Sequence, residues 1–318
     1  MTSEAEVWVV IDDRIGIQVQ ALGLAEALGR PFVVKSFNPN PPWTWLPISW
    51  PRPKHLMEEA GLNPPWPDLV IGCGRRMVPF LRVMRGPSTK VVFLGDPTVN
   101  PKIFDLVIAP NHDRMSDPNV VSTLGSMHRI TPERLAAAHA EFAPLFGPLP
   151  KPKIGVLIGG ASNHHDLPVA TARDFADKLA MLADSGAGLM ITPSRRTPEA
   201  ALLELRRRLN RSEVRIWDRV GANPYFGMLA HADALIVTND SVNMATEACT
   251  TGKPVMVYPL PGRSRRIARF HRELARRGLT RPFQGRLEMF ETAPLREMDE
   301  VVARIREILA EPPKTSYL

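Results

Sequence analysis

Short apolar runs, each followed by a polar or glycine-bearing turn and then a stretch of helical spacing, recur along this chain. Val7–Ile11 predicts a buried strand and Ile17–Leu28 a helix closed by Gly29. Phe32–Phe37 predicts the next strand, and further strands are expected at 68–71, 90–94, 105–109 and 119–123. Thr131-Pro132-Glu133 opens a helix, with Thr as N-cap and Pro at the first helical position. After the link Gly147–Lys153 (GPLPKPK) the plan repeats, with strands at Lys153–Ile158, Leu189–Thr192 and Val214–Trp217. Helices are expected from Thr171 to Ala183, from Thr197-Pro198-Glu199 onward, and from about Leu295 to Leu309. Strand and helix alternating in this way predict an α/β chain of two doubly wound parallel domains, residues 1–150 and 151–318. Ligand-binding turns should then gather at the carboxyl edges of the strands, facing a cleft between the domains. The last helix has an apolar face free to pack back on the first domain.

One unit carries more information than the rest. In Tyr225–Leu260 a helix leads into the apolar run Ala234–Val237, then Thr238-Asn239-Asp240-Ser241, a second helix, and Gly252-Lys253-Pro254 before another strand. Thr, Asn, Asp and Ser are all favourable N-caps, so the second helix presents backbone N–H groups to whatever sits above the sheet. Glu247 falls about two turns along that helix, placed to hold ribose hydroxyls behind a phosphate-binding turn. A solvated helix residue beside an ordinary turn is the plainer alternative.

Residues 39–67 break the pattern with nine prolines and four of the six tryptophans, Trp43, Trp45, Trp50 and Trp66. That density predicts an ordered loop or flap without regular helix or sheet. It is read either as packing over the sheet edge or, with Arg52 and Lys54 beside the indoles, as an interfacial surface.

The chain has 318 residues, a net charge of +7 and a pI near 9.7 carried mostly by arginine. Basic balance suits a phosphorylated small molecule or an anionic membrane, whereas the arginines form separate clusters and no nucleic-acid motif accompanies them. No apolar run reaches the ~20 residues of a membrane span, and the first residues lack the pattern of a secretory signal. Cys73 and Cys249 are the two cysteines, with no ligand spacing around them, so a cytoplasmic protein without disulfides or zinc is expected.

The first turn, Asp12-Asp13-Arg14-Ile15-Gly16, is not G-x-G-x-x-G, and the second strand ends without an acidic residue, which disfavours a dinucleotide dehydrogenase. Serine-hydrolase elbows, Walker A loops and zincin motifs are also missing. Gly159-Gly160 follows a strand and precedes a helix, with Ser162 and Asn163 offering hydrogen bonds to a phosphate. Ser194-Arg195-Arg196 is a basic turn one strand away, and Arg263 is the arginine of the 263–277 cluster nearest its strand end. His164-His165-Asp166 lacks partners at metal-ligand spacing, so no metal is expected.

The segments VIDDRIGIQVQALGLAEAL, DLVIGCGRR, VLIGGASNHHD, ITPSRRTP and VTNDSVNMATEACTTGKPV resemble, in order, the mitochondrial-fission (elongated mitochondria) family, a group similar to GT-B glycosyltransferases. The donor half looks most like the N-acetylglucosaminyltransferase that makes lipid II. The resemblance implies two Rossmann-like domains and a nucleotide-sugar donor bound by the second. Gly159, Gly160 and Ser162 would meet the diphosphate, Asp240, Ser241 and Asn243 the phosphate end of the helix, Glu247 the ribose, and Trp217 with Asp218 and Arg219 the nucleobase. Where the lipid II enzyme has a glycine-rich loop ending in histidine, this chain has Asp12-Asp13-Arg14, so the base is sought there: Asp13 first, with Asp12, Asp96 and His112 as rivals and Arg14 beside them. The expected activity is transfer of sugar, without a metal or cofactor, from a nucleotide-sugar donor to an acceptor that is lipid-linked or belongs to the cell envelope. The protein would stay cytoplasmic or peripheral on the inner face of an anionic membrane. The alternatives are a GT-B-shaped adaptor that recruits a protein partner to a membrane, as plant members do, and a nucleotide-sugar 2-epimerase.

Overall fold

The computed structural model describes residues 7–311. Two compact units make up the described residues, one from residues 7–129 with 296–311 and one from residues 130–295.

The first unit is built on β1 (Val7–Ile11), α1 (Ile15–Leu28), β2 (Phe32–Ser36), α2 (Lys54–Glu59), β3 (Leu69–Cys73), α3 (Val78–Met84), β4 (Lys90–Leu94), β5 (Leu106–Pro110) and β6 (Val120–Thr123). Its six strands are all parallel in the order β2-β1-β3-β4-β5-β6. Side chains alternate across a strand, and β1 shows the consequence. Val7, Val9 and Ile11 pack with Leu24 of α1, while Val10 joins Leu56, Phe80 and Phe93 on the other face. Both faces are covered, which is why these strands read as nearly continuous apolar runs.

The second unit holds α4 (Pro132–Phe146), β7 (Lys153–Ile158), α5 (Val169–Asp184), β8 (Gly188–Pro193), α6 (Glu199–Arg208), β9 (Val214–Ile216), α7 (Tyr225–His231), β10 (Ala234–Thr238), α8 (Val242–Thr250), β11 (Val255–Tyr258), α9 (Arg265–Arg276) and β12 (Thr280–Pro282). Its strands are again parallel, in the order β12-β11-β10-β7-β8-β9. Ile154, Val156 and Ile158 of β7 face Phe175 and Leu179 of α5 and Leu205 of α6. The final helix, α10 (Glu297–Ala310), belongs to the first unit. Val301, Val302, Ile305 and Ile308 complete the core around β1 and α1, and each fully buried aliphatic side chain contributes about 1.5–3 kcal/mol.

Residues 39–67 are not wholly irregular as expected, because α2 lies among them. Pro53 occupies its N-cap, and the residues that follow up to Asn63 are free of proline, enough for a helix that buries Leu56 and Met57. Arg52 organises the remainder, donating to the carbonyls of Trp50 (2.9 Å), Trp43 (3.1 Å) and Leu46 (3.2 Å).

Candidate functional site

In the second unit β7 and β10 are neighbours although three helices and two strands separate them in sequence, so the strand order reverses there. Such a switch point opens a crevice at the carboxyl ends. The turn after β7 meets the turn after β10 at that place. Gly159 N–H donates to Thr238 Oγ1 at 2.8 Å and Gly160 N–H to Asp240 Oδ2 at 3.1 Å. A Cβ on Gly159 would lie 2.1 Å from either Asp240 carboxylate oxygen, and one on Gly160 would lie 2.3 Å from the Arg196 carbonyl. Only glycine admits this approach. Asp240 is buried, takes the Thr238 hydroxyl at 2.6 Å and pairs with Arg196 Nη2 at 2.6 Å. Ser194 and Thr197 hydroxyls both donate to the Gly159 carbonyl, so the turn after β8 joins the same network.

This arrangement reassigns several groups. Asp240 and Arg196 neutralise each other beneath the turns, which makes them a brace. The amides of Ala161 and Ser162 are consumed by the carbonyls of Arg196 and His165, while Ser162 Oγ accepts from the amides of His164 and His165. The groups left open at this edge are Arg195, exposed and without an ion pair among the described residues, the exposed Asn163, and the start of α8. There Ser241 Oγ caps the Met244 amide, and Asn243 lies in the first turn, half-buried.

Glu247 is buried on α8, where its carboxylate accepts the hydroxyl of Tyr225 at the start of α7. Burial pushes its carboxyl group up to about 7, against the opposing hydrogen bond, and pushes the Tyr225 phenol up as well. Trp217 is half-buried, with its ring N–H on the Val220 carbonyl at 3.1 Å. Arg219 holds a left-handed backbone (φ 70°) and donates to the carbonyls of Ser194 (2.8 Å) and Thr197 (2.7 Å), fixing the Trp217 loop to the basic turn. Arg263 is exposed, its amide on the His164 carbonyl at 2.9 Å, beside a cleft of about 340 Å³ lined by Ser162, His165, Asp166 and Gly262.

In the first unit, Asp12 ends β1 fully buried and is clamped by Arg14, whose Nη2 lies at 2.6 Å and Nε at 3.0 Å. Asp13 beside it is exposed. Asp96 is paired with Arg75 at 3.4 Å and accepts the Thr98 amide at 2.7 Å. His112 is buried, 3.8 Å from Asp113. A proton-accepting group has to reach its substrate, so of these carboxylates the geometry leaves Asp13 open. Among the described residues no group of three or more His, Cys, Asp or Glu is arranged to hold a metal ion, and no helix is long and apolar enough to cross a membrane.

A family model described as Mitochondrial fission ELM1 matches residues 15–309. The chain belongs to the mitochondrial fission ELM1 family. The ELM1 protein of Arabidopsis thaliana is 31% identical over 274 residues, which cover 77% of this chain and 64% of the plant protein. The chain thus spans under two thirds of that relative. Among solved structures, UDP-GlcNAc 2-epimerase from Neisseria meningitidis bound to UDP-GlcNAc aligns with a TM-score of 0.52 at 11% identity, covering 95% of this chain and 91% of the other. The glycotransferase of kitacinnamycin aligns at 0.50 and 13% identity, covering 97% and 91%. At such identities the likeness is one of fold, and it is the GT-B fold.

Some of what shapes this ELM1-family unit has no signature in sequence. Tyr225 reaches Glu247 across 22 positions, and nothing in YFGMLAH marks it as a partner. His271 on α9 is in contact with the Asn239 carbonyl at 3.0 Å, and burial pulls its imidazole down to about 4. Lys253, expected only to follow a helix end, donates to the carbonyls of Leu229 (2.6 Å) and Ala230 (2.8 Å) and closes α7 instead.

Proposed function

We propose that this ELM1-family chain is a glycosyltransferase that takes sugar from a nucleotide-sugar donor without a divalent metal. The observation that carries the proposal is the β7–β10 switch point, where α8 opens on Ser241 and holds Glu247 behind it. A donor diphosphate would meet the start of α8, Arg195 and Arg263, which supply positive charge to the departing nucleotide diphosphate. The ribose would lie toward Glu247 and the nucleobase toward Trp217. Asp13, exposed at the end of β1, would deprotonate the acceptor hydroxyl. The fold likeness to an epimerase solved with UDP-GlcNAc and to a glycotransferase supports a nucleotide-sugar ligand. A lipid-linked or cell-envelope acceptor is the further part of the proposal, in keeping with the exposed indoles of Trp45 and Trp50.

Calorimetry with nucleoside diphosphates and UDP-GlcNAc, in buffer containing EDTA, tests it. Binding is expected without added cation, and Glu247→Ala should weaken it by about 1.5–3 kcal/mol, the range for a hydrogen bond to a charged group. Binding restored only by Mg²⁺ or Mn²⁺ would remove the metal-free mechanism. No nucleotide binding at all would favour the alternative reading, a GT-B-shaped adaptor for a protein partner. The epimerase likeness favours a second reading, in which UDP-GlcNAc is interconverted with its 2-epimer without any acceptor; product analysis in acceptor-free buffer separates the two.

A further inference from the structure

The amino edge of the first sheet carries a cleft of its own, of about 360 Å³, away from every turn described above. It forms where β4 begins at Lys90, where the chain enters β5 and β6, and where the end of α10 passes over them. Four cations line it, Arg85, Lys90, Lys102 and Arg304, against two carboxylates, Asp105 and Glu311.

The pairing inside the cleft is uneven. Arg85 Nε lies 3.2 Å from Asp105 Oδ1 and its Nη1 donates to the Lys102 carbonyl at 2.8 Å, while Asp105 Oδ2 accepts the Val91 amide at 2.8 Å. Asp105 is therefore consumed. Arg304 pairs with Glu307 at 2.8 Å. Lys90 is 7% exposed, yet its ammonium has no ion pair or hydrogen bond to any described residue. The ammonium therefore opens on the cleft without a protein counter-charge. Asn119 lines the same cleft on the far side of β5 and has a complementary deficit. Both its N–H groups are fixed, on the carbonyls of Pro101 and Phe104 at 2.9 Å each, so its Oδ1 is held in place and meets no donor. Phe104 adds an apolar wall.

An unpaired cation and an unpaired, oriented acceptor in one cleft call for an occupant with both an anionic group and a hydroxyl. The volume lies at the small end of ligand cavities, which run from about 300 to 1,000 Å³. We propose that this cleft binds a small phosphorylated polyol or sugar, its phosphate on Lys90 and Lys102 and a hydroxyl donating to Asn119 Oδ1. The site lies wholly in the first unit and does not rest on the nucleotide-sugar assignment.

Calorimetry on the full chain at constant ionic strength, with inorganic phosphate, glycerol 3-phosphate and glycerol as probes, tests the proposal. Glycerol 3-phosphate should bind with unit stoichiometry, several-fold tighter than phosphate, and glycerol alone should not bind. Lys90→Met should lower affinity at least tenfold. Lys102→Met changes an exposed residue, keeps the test open if Lys90→Met does not fold, and should lower affinity about threefold or more, given how screened an exposed cation is. Arg195→Gln, in the second unit, should leave it unchanged. No binding up to about 10 mM probe, the weak end of measurable affinity, would overturn the proposal. So would affinity that survives both lysine substitutions or falls with Arg195→Gln.

Discussion

Glu247 lies far from the range of a surface glutamate because burial penalises its charged form more than the Tyr225 hydrogen bond favours it. Its folded value is raised from 4.5 to about 7, so the folded state holds a proton that the unfolded chain has released. Stability from this group is full below about 4.5 and is lost as pH rises through 7. Urea unfolding at pH 5 and pH 8 should show wild type losing roughly 3 kcal/mol more than Glu247→Gln, as an upper figure from 1.36 kcal/mol per unit. Parallel profiles would deny the shift. His271 runs the other way, its contribution present above 6.5 and lost as pH falls through 4, and it cancels because both proteins carry it. At the same edge, Asp240→Asn keeps the shape but strands Arg196 and turns an N–H group toward Gly160 or Thr238. Arg196 is 39% exposed and stays hydrated, so the expected cost is about 1–3 kcal/mol. An unchanged urea midpoint would show that the brace is dispensable.

Elements were legible wherever period and caps agreed. Thr131 caps α4 as expected, accepting the Arg134 amide at 3.1 Å, and Ser241 caps α8. The helices and strand that escaped had weak signals. Pro79 sits in the first turn of α3, α2 hides between prolines, and β12 is three residues long, too short for a period. For α10 the length and the return to the first domain were both expected, whereas the contacts that seat it there are a matter of packing. Glu297 at its start accepts the amides of Leu124 (2.6 Å) and Gly125 (2.9 Å). Glu297→Ala should therefore cost about 1–3 kcal/mol, with Glu297→Gln milder because one acceptor remains. Hydrogen exchange should show the Leu124 and Gly125 amides losing protection; amides as slow as in wild type would place the docking of α10 in its apolar face alone.

For the molecule as a whole, an unplaced feature is its chemistry toward surfaces. Trp45 is 78% exposed and Trp50 56%, whereas Trp43 is half-buried against the first core and His55. Arg265 and Arg272 on α9 are exposed. Indoles favour the headgroup level, and arginine is attracted to anionic lipid within about 8–10 Å in physiological salt. Flotation with anionic vesicles at low salt should recover the protein, and Trp45→Ala with Trp50→Ala should reduce recovery. Equal recovery with neutral vesicles, or none with either, would leave these indoles to a protein partner.

The sequence by itself determined the class of fold and pointed to the candidate site, because both follow from local rules. Apolar runs buried on two faces make parallel strands, and glycine, serine and asparagine at their ends make turns that cluster on one edge. It also determined family membership, through motifs that keep their order from residue 15 to 309. Tertiary structure decided what each charged group is for. Asp12 and Asp13 are adjacent and chemically identical, yet one is locked under Arg14 and the other meets solvent. Arg195 and Arg196 divide in the same way, one exposed and one spent on Asp240. A side chain's role depends on which partner lies within about 3 Å, and those partners are brought there by strands distant in sequence.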